Sequence, residues 1–337
     1  MRAIRSALLA STFLFTSNSA SMADVKVVAS IKPVHSLVAS VMQGVSEPSL
    51  LVKGAGSPHT YSLKPSQAKE LQEADIVFWM SHDLEAFLEN SIESIATNAT
   101  AVSLMDTHGL MKLNFREGGA FDSHDHGHDD HGDDKHDDHG HDKHDDHGHD
   151  KHDDHGDEKH DDHGHDEVDP HVWLDPQNAK SLVHEIEEHL AEIDPSNAAK
   201  YEANAKAVMK KLDALTKEIE ADLKPIRGRG YVVFHDAYQY FEKRFGVSAV
   251  GSITVSPEVL PGAERVSELR DKVKSLNASC VFSEPQFEPK LVKTITENTD
   301  AGTGVLDPLG ANIKDGPELY FTLIRNMAKS LKDCLMN

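Results

Sequence analysis

The chain alternates short apolar segments with amphipathic or N-capped helical segments, and this alternation restricts its fold more than any other feature. Continuous apolar strands separated by helices form parallel sheets that helices cover on both faces. Each half of the chain contains four such segments. The candidate strands are Val25–Ser30, Ser49–Lys53, Asp75–Met80, Ala101–Leu104, Tyr231–Phe234, Ala249–Thr254, Ser279–Phe282 and Gly304–Leu306. We therefore expect an α/β fold whose ligand binds beyond the carboxyl ends of the strands.

A long helical pattern separates the two groups of strands. Asp194 and Pro195 have the residue types of an N-cap and a first helical position. Apolar residues then recur at gaps of three and four, and no Gly or Pro interrupts them before Pro225. A helix of about 30 residues is ~45 Å long. Because a sheet pattern lies on each side of this single helix, we expect a rigid connector rather than one strand of a coiled coil.

The predicted fold class is α/β, with two (β/α) lobes whose parallel sheets are joined by one long, rigid backbone helix. We expect the binding site in the cleft between the lobes. The predicted segments are a leader at 1–23, an N-terminal lobe at 24–193 with a loop at 122–166, a linking helix at 194–224 and a C-terminal lobe at 225–337.

The first residues have the pattern of a bacterial signal peptide. Two arginines precede an apolar stretch from Ala7 to Phe15, and small residues end at Ala23. This stretch is shorter than the ~18 apolar residues that a membrane helix needs, and no other segment approaches that length. We expect cleavage before Asp24 and export of a soluble protein to the periplasm.

One segment differs sharply in composition from the rest of the chain. Between Asp122 and Asp166 there are 18 Asp, one Glu and four Lys, a net charge of −15 out of −23 for the whole chain. This segment, called here the His/Asp tract, repeats the unit HDDHGHDK and has no apolar residue to offset the entropy of ordering. We predict a disordered loop. Its charge favours cations as partners and disfavours nucleic acid.

The His/Asp tract contains 15 of the 23 histidines of the chain. Imidazole groups bind zinc, copper and nickel, and carboxylates add attraction for cations. Because no ligand geometry is fixed, we expect several weak sites and therefore a zinc collector rather than the principal site. A solubilising acidic linker would explain the Asp but not the His. The candidate low-affinity ligands are His124, His126, His128, His131, His136, His139, His141, His144, His147, His149, His152, His155, His160, His163 and His165.

The chain has two cysteines, Cys280 and Cys334. In an exported protein such a pair indicates one disulfide. A zinc role is the alternative, although the separation of the two residues matches no zinc-finger spacing.

Three histidines occupy loops between predicted strands and helices. His59 lies between a strand and the next helix, His171 precedes a helix capped by Asp175, and His235 follows the strand YVVF. Asp307 also lies at a strand end. Because such loops converge on one cleft, three imidazoles with a carboxylate or a water would form the near-tetrahedral set that zinc prefers. The other histidines outside the tract lack this placement and are expected to form ordinary hydrogen bonds: His35, His82, His108, His184 and His189.

Six short stretches carry a resemblance to a known family. They are SIKPVHSLV, SPHTYSLKPSQ, DPHVWLDP, FHDAY, FSEPQF and LDPLG, in this order over almost the whole predicted mature chain. They are similar to sequences of the periplasmic zinc-binding proteins of bacterial ABC importers, the ZnuA family within the cluster A-I, or cluster 9, metal receptors. The resemblance implies two (β/α) lobes joined by a long backbone helix, with the metal held between them.

The resemblance also implies a ligand set of His59, His171 and His235. Manganese-binding relatives place a carboxylate where His235 stands, so zinc is favoured here over cations that prefer oxygen. Some zinc receptors have a glutamate where this chain has Pro58, which leaves Asp307 or a water as the fourth ligand. Asp307 could instead orient a histidine.

Two further features follow from the resemblance. Glu284 in FSEPQF is expected to brace the cleft rather than bind the metal. The disulfide between Cys280 and Cys334 resembles one in zinc-binding members, where it clamps the last helix to the second sheet.

The predicted function is a high-affinity zinc receptor, without enzyme activity, that delivers Zn²⁺ to the permease and ATPase of an inner-membrane ABC importer. We expect a monomer, with a periplasmic zinc chaperone as a further candidate partner. Because the imidazoles must be neutral to bind, binding should weaken as the pH falls through about 6.

Three alternatives remain open. The first is a periplasmic zinc buffer or chaperone that serves no transporter. The second is a receptor for another divalent transition metal such as manganese. The third is a zinc hydrolase, because three imidazoles and an open position also form a catalytic site, although the sequence has no HExxH motif to supply a general base.

Overall fold

The structure, a computed structural model, describes residues 24–116, 121, 168–254, 262–276, 278–287 and 289–336. The predicted leader, residues 1–23, and the His/Asp tract, residues 122–166, lie outside the described residues. Among the described residues, none of the helices combines the length and the apolar character needed to span a bilayer.

The first lobe is built on a parallel sheet of four strands in the order β2-β1-β3-β4. Its strands are β1 Val27–Ala29, β2 Ser49–Leu50, β3 Ile76–Trp79 and β4 Thr100–Ser103, and its helices are α1 Lys32–Val41, α2 Pro65–Gln72 and α3 Ala86–Ile95. All three strand pairings are parallel, because a helix or a long loop returns the chain to the same end of the sheet each time.

Helix α5 Ala198–Leu223 connects the lobes, and helix α4 Pro176–Ile193 precedes it and packs against it. The second lobe repeats the design of the first. The second sheet has the order β6-β5-β7-β8, with β5 Tyr231–His235, β6 Ala249–Thr254, β7 Cys280–Ser283 and β8 Gly302–Val305. The remaining helices are α6 Gln239–Phe245, α7 Ala263–Ser275, α8 Pro289–Thr296 and α9 Leu319–Leu335. The predicted α/β architecture with eight strands in two parallel sheets is confirmed within the described residues.

Strand β8 begins two residues earlier and ends one residue earlier than predicted, because the prediction relied on apolar side chains. Gly302 and Gly304 have no side chain, so they add nothing to the apolar pattern from which strands were predicted. A Cβ on Gly304 would lie only 2.5 Å from the ring of Phe282 on the neighbouring strand, so glycine is needed for the close approach.

The connecting helix begins later than predicted. Asp194 is not its N-cap but the C-cap of α4, and the first helical residue of α5 is Ala198. The Asp194 carboxylate accepts hydrogen bonds from Ser196 Oγ at 2.6 Å, Asn197 Nδ2 at 2.6 Å and Tyr201 Oη at 2.9 Å. The carboxylate therefore ties the turn between the two helices to the first turn of α5. The predicted linking segment ends at residue 224, and α5 stops one residue earlier, at Leu223.

Helix α5 is part of the core and not an exposed linker. Its buried face includes Tyr201, Leu212 and Leu215, and these side chains belong to one apolar cluster that also contains Phe78 of the first sheet and Phe282 of the second. Because a single packed core spans both lobes, a large hinge motion would separate close-packed side chains. The predicted rigid connection between the lobes follows from this packing.

Polar contacts reinforce the junction between the lobes. Lys32 at the start of α1 is buried, and its Nζ donates to the backbone oxygens of Ala311 at 3.0 Å and Ile313 at 2.8 Å in the second lobe. The backbone N–H of Tyr320 at the start of α9 donates to Ser36 Oγ at 2.9 Å. The predicted disulfide between Cys280 on β7 and Cys334 on α9 is confirmed, and it fastens the last helix to the second sheet.

Candidate metal centre

The structure brings His59, His171 and His235 together between the lobes. His59 lies in a single 3₁₀ turn, Pro58–Thr60, that follows β2. His171 directly precedes another, Val172–Leu174, at the start of α4. His235 is the last residue of β5. The ring centroids are 5.7 Å apart for His59 and His171, 5.9 Å for His59 and His235, and 5.3 Å for His171 and His235.

One ring nitrogen from each histidine lies within 4.8 Å of the other two. A tetrahedral zinc ion with Zn–N bonds of about 2.0–2.1 Å requires donors about 3.3 Å apart. The rings therefore need to approach one another by at most about 1.5 Å to close on an ion. His59 is the most exposed of the three, whereas His171 and His235 are buried, so we expect most of this movement at His59.

The orientation of His171 is set by a buried carboxylate two residues earlier. Asp169 Oδ1 accepts hydrogen bonds from His171 Nδ1 at 2.6 Å and from the His171 backbone N–H at 2.9 Å. Asp169 Oδ2 accepts from Gln239 Nε2 on α6 at 2.7 Å. Because Nδ1 carries the proton toward Asp169, the His171 Nε2 lone pair is available to a metal.

His235 is oriented in the same way by Glu284, which follows β7. Glu284 Oε1 accepts from His235 Nδ1 at 2.7 Å, and both side chains are buried. Burial opposes protonation of His235, but the attraction of the Glu284 carboxylate outweighs it, so the pKa of His235 is raised above 6.5. His235 Nε2 is buried and has no hydrogen-bond partner among the described residues. A buried nitrogen of this kind fits a metal ligand.

Asp307 is not part of this group of ligand atoms within the described chain. Its Oδ1 accepts from the backbone N–H groups of Leu309 at 3.2 Å and Gly310 at 2.9 Å and from Gln286 Nε2 at 3.1 Å, while Oδ2 accepts from the Ala311 N–H at 2.7 Å. The carboxylate caps the loop that follows β8. This arrangement favours a structural role for Asp307 over ligation.

The three histidines border a small cavity with a volume of about 10 Å³, the room that one water molecule takes. Apolar residues supply much of its wall, including Trp173, Phe287, Pro308 and Leu309. Trp173 Nε1 donates to the Pro308 backbone oxygen at 2.9 Å and so holds this wall across the two lobes. The site can enclose an ion but leaves little room for an organic molecule.

Four of the five other described histidines have local partners. His35 bonds to the Pro48 backbone oxygen at 3.0 Å, His82 lies 2.7 Å from a Glu89 oxygen, and His189 lies 3.2 Å from a Glu185 oxygen. His184 pairs at longer range with two glutamates on its own helix, and His108 is exposed. Within the described chain, none of them joins a group of potential metal ligands.

Sequence reasoning missed Asp169 and Gln239 but anticipated that Glu284 braces the cleft. A signal for Asp169 was present, because a metal-binding histidine generally donates its second N–H to a carboxylate and Asp169 lies two residues before His171. Gln239 gave no signal, since its role depends on how α6 packs against the start of α4.

The ends of the segment that carries the His/Asp tract lie close to this site. Asn114 and Val168 form an isolated antiparallel bridge. The backbone N–H of Leu113 donates to Tyr240 Oη at 2.9 Å, and Gln239 Nε2 donates to the Asn114 oxygen at 3.1 Å. Helix α6 therefore holds both the base of this segment and the carboxylate that orients His171.

Comparisons with known proteins agree with this architecture. The family model described as zinc-uptake complex component A, periplasmic, matches residues 27–334. The high-affinity zinc uptake system protein ZnuA of Brucella abortus is 58% identical over 337 residues, which cover 99% of each chain. The protein of the same name from Paracoccus denitrificans is 40% identical over 311 residues, covering 92% of this chain and 91% of that protein.

Solved structures show the same fold. A crystal structure of ZnuA superposes with a TM-score of 0.69 at 24% identity and covers 92% of this chain and 98% of the other. The solute-binding protein FpvC of Pseudomonas aeruginosa in complex with Mn²⁺ has a TM-score of 0.71 at 18% identity, covering 93% and 99%. At these identities the likeness establishes the fold alone. On the family model and the curated relatives, the chain belongs to the ZnuA family of periplasmic zinc-uptake components.

Proposed function

We propose that this chain is a high-affinity zinc receptor that delivers Zn²⁺ to an ABC-type importer in the inner membrane. The observation that carries the proposal is the cluster of His59, His171 and His235, two of them oriented by buried carboxylates. Its relatives are named as high-affinity zinc uptake system proteins, which supports the same cargo.

The proposed ligands are the ring nitrogens of the three histidines. Three imidazoles form a nitrogen-rich set that suits zinc, whereas manganese prefers carboxylate and water oxygens. The carboxylates nearest to the cavity have other partners: Glu284 Oε1 orients His235, and both oxygens of Asp307 cap its own loop. The donor set therefore favours zinc over manganese.

Capture and release would involve a small local motion. The packed core and the contacts of Lys32 oppose separation of the lobes, so the site would close mainly by movement of the more exposed His59. Release to a transporter would then require displacement of the His59 turn rather than wide opening of the cleft.

The protein would act in the periplasm after cleavage of the leader before Asp24. Its partners would be the permease and ATPase of the importer, with a periplasmic zinc chaperone as a further candidate, and we expect a monomer. The His/Asp tract would raise the local zinc concentration through weak binding. The leader and the tract both lie outside the described residues.

A receptor is favoured over a zinc hydrolase. The cavity has room for about one water molecule and apolar walls, so a substrate with a cleavable bond would not fit beside the ion. The carboxylates next to the site are each hydrogen-bonded to a histidine or to a loop, which favours a positioning role for them over that of a general base.

The direct test is zinc binding by the purified mature chain in competition with a chelator of known affinity. A receptor should bind one ion tightly per chain, together with weaker ions that depend on the tract. Growth of a deletion strain at low zinc separates a receptor from a buffer. The deletion should stop growth that added zinc restores, whereas loss of a buffer should not limit uptake.

A further inference from the structure

Glu85 is a buried acid in the first lobe that does not line the metal cavity. Its chain neighbours Leu84 and Leu88 are buried as well. One carboxyl oxygen, Oε2, accepts from the backbone N–H groups of Met80 at 2.7 Å and Ser81 at 3.3 Å, at the carboxyl end of β3. Although Glu85 occupies the N-cap position of α3, its side chain caps no N–H of that helix. The carboxyl group therefore ties the end of β3 to the start of α3.

The other oxygen of Glu85, Oε1, has no hydrogen-bond partner among the described residues. The hydroxyl of Ser30, at the end of β1, is likewise buried and unpartnered in that part of the chain. Ser30 lies near enough to Glu85 to act on its pKa. A protonated Oε1 could donate to the Ser30 hydroxyl, whereas an ionised carboxylate can only accept. A single proton on Glu85 would thus satisfy both oxygens.

Within the described chain, no positive charge compensates the Glu85 carboxylate. The influences on its pKa are burial and hydrogen bonds from Ser30, Met80 and Ser81. Burial is the largest of them and raises the pKa of Glu85 to about 7, because a carboxylate without a countercharge is costly in apolar surroundings. The ionisable residues on the elements around Glu85, none of which contributes to this shift, are Lys32, His35, His59, Lys69, Glu70, His82, Asp83, Glu89, Glu93 and Asp106.

The helix that starts at Glu85 also contacts the turn that carries His59. Helix α3 contacts the 3₁₀ turn Pro58–Thr60. In the first turn of α3, the Phe87 ring packs on the ring of Tyr61, and the ring centroids are 5.4 Å apart. Because Tyr61 directly follows the 3₁₀ turn, the start of α3 supports the segment that positions His59.

We propose that Glu85 is a proton-binding switch in the first lobe, neutral in the most stable form of the protein and ionised as the pH rises through neutrality. In the neutral form, one oxygen bonds to the end of β3 and the other to Ser30. Loss of the proton leaves a buried charge without a partner, so the start of α3 and its support of the His59 turn become looser. The stabilisation from the bound proton is complete below the pKa of an unfolded glutamate, about 4.3, and is lost as the pH rises through about 7.

The first test compares the zinc-free mature chain with its Glu85→Gln variant, so its outcome is independent of the zinc-receptor function. Glutamine has the shape and the neutral charge of the protonated acid, and its amide can accept from the Met80 N–H and donate to Ser30. From pH 5 to pH 8, the folding equilibrium constant of the variant relative to the unaltered chain should rise by about 10- to 100-fold. Glu93→Gln is the matched control, because Glu93 is exposed on the same helix. A relative stability of Glu85→Gln that is the same at both pH values would overturn the proposal.

A second measurement uses the unaltered chain and does not depend on how the variant folds. The backbone amides of Met80 and Ser81 donate to Glu85, so their NMR chemical shifts report its ionisation. These shifts should titrate with a midpoint near pH 7. Hydrogen exchange of α3, corrected for the intrinsic effect of pH, should become faster over the same range. A midpoint near the ordinary glutamate value of about 4.3, or α3 exchange that does not follow the titration, would overturn the proposal.

Discussion

Glu284 Oε1 accepts a hydrogen bond from His235 Nδ1 at 2.7 Å, although 49 residues separate the two in the chain. The carboxylate fixes the tautomer of the ring and directs the Nε2 lone pair at the cavity. Asp169 does the same for His171 at 2.6 Å. The metal centre is therefore prepared by two carboxylate–histidine pairs, one in each half of the chain.

Replacing Glu284 should weaken zinc binding without abolishing it. Glu284→Gln keeps a group of the same size but removes the charge that holds the His235 proton on Nδ1. We expect a loss of about 10- to 100-fold in zinc affinity, measured by chelator competition. Glu220→Gln is the matched control, because Glu220 is exposed, pairs with Arg227 and does not line the cavity. Equal affinities of the two variants would contradict a role for Glu284 in orienting the ligand.

Zinc binding should weaken as the pH falls, beginning above pH 6.5. Burial lowers the pKa of His235, but Glu284 outweighs it and raises the pKa above 6.5, so the proton that competes with zinc is bound already at higher pH. This places the onset above that of an ordinary imidazole, whose pKa is about 6.5. Chelator competition across this pH range measures the onset, and Glu284→Gln should move it to lower pH.

The raised pKa of His235 also affects the stability of the zinc-free protein. A histidine whose folded-state pKa is raised stabilises the fold fully below its unfolded pKa of about 6.5. This contribution is lost as the pH rises through the higher folded-state value. A zinc-free chain whose unfolding free energy shows no such decline would contradict the raised pKa.

Arg116 should be among the most sensitive positions for stability. Its guanidinium donates through Nε to Asp236 at 2.9 Å and through a terminal nitrogen to Glu242 at 2.7 Å, and both carboxylates are buried. Arg116→Met would leave two buried charges unpaired, at a cost of about 3–5 kcal/mol in the free energy of unfolding. Denaturant unfolding of the zinc-free chain measures this loss.

An exposed pair provides the control for Arg116. Arg325 forms a bidentate salt bridge with Glu218, with two hydrogen bonds of 2.7 Å, and both side chains are 43% exposed. Arg325→Met should cost about 1 kcal/mol or less. If the two arginine variants lose the same free energy of unfolding, burial of Asp236 and Glu242 does not determine how much Arg116 stabilises the fold.

The disulfide should stabilise the fold but leave the metal site intact. Cys280 and Cys334 close a loop with a sequence separation of 54 residues. Removing this cross-link in the double variant Cys280→Ala, Cys334→Ala should lower the free energy of unfolding by about 4 kcal/mol through chain entropy. Zinc affinity of the folded variant should be unchanged, since neither cysteine lines the cavity. A large loss of zinc affinity would instead show that the disulfide helps to shape the metal site.

The fold was predictable from the sequence because its strands are short apolar runs between helices. The predicted bounds of α5 and β8 were wrong because the residues at their ends fit more than one local structure. Asp194 satisfies an N-cap pattern, yet its carboxylate serves the turn between α4 and α5. Gly302 and Gly304 make up half of β8, whose single apolar side chain is Val305, because the strand packs closely on Phe282 at Gly304.

The three histidines were predictable because His59 follows a strand, His235 ends a strand and His171 comes just before a helix. Their hydrogen-bond partners were harder to predict. The pairing of Glu284 with His235 depends on the register of β5 and β7, and Gln239 reaches Asp169 only through the packing of α6. Asp307 has the position of a ligand along the chain, but the loop after it turns its N–H groups onto the carboxylate.

The central claim is tested most directly by counting tightly bound zinc on a chain that lacks residues 122–166, with and without His235→Ala. The account predicts one tight ion on the shortened chain and a loss of that ion in the variant, while His184→Ala retains it. Loss of the tight ion on deletion of the tract alone, or its retention after His235→Ala, would contradict a principal site formed by the three histidines.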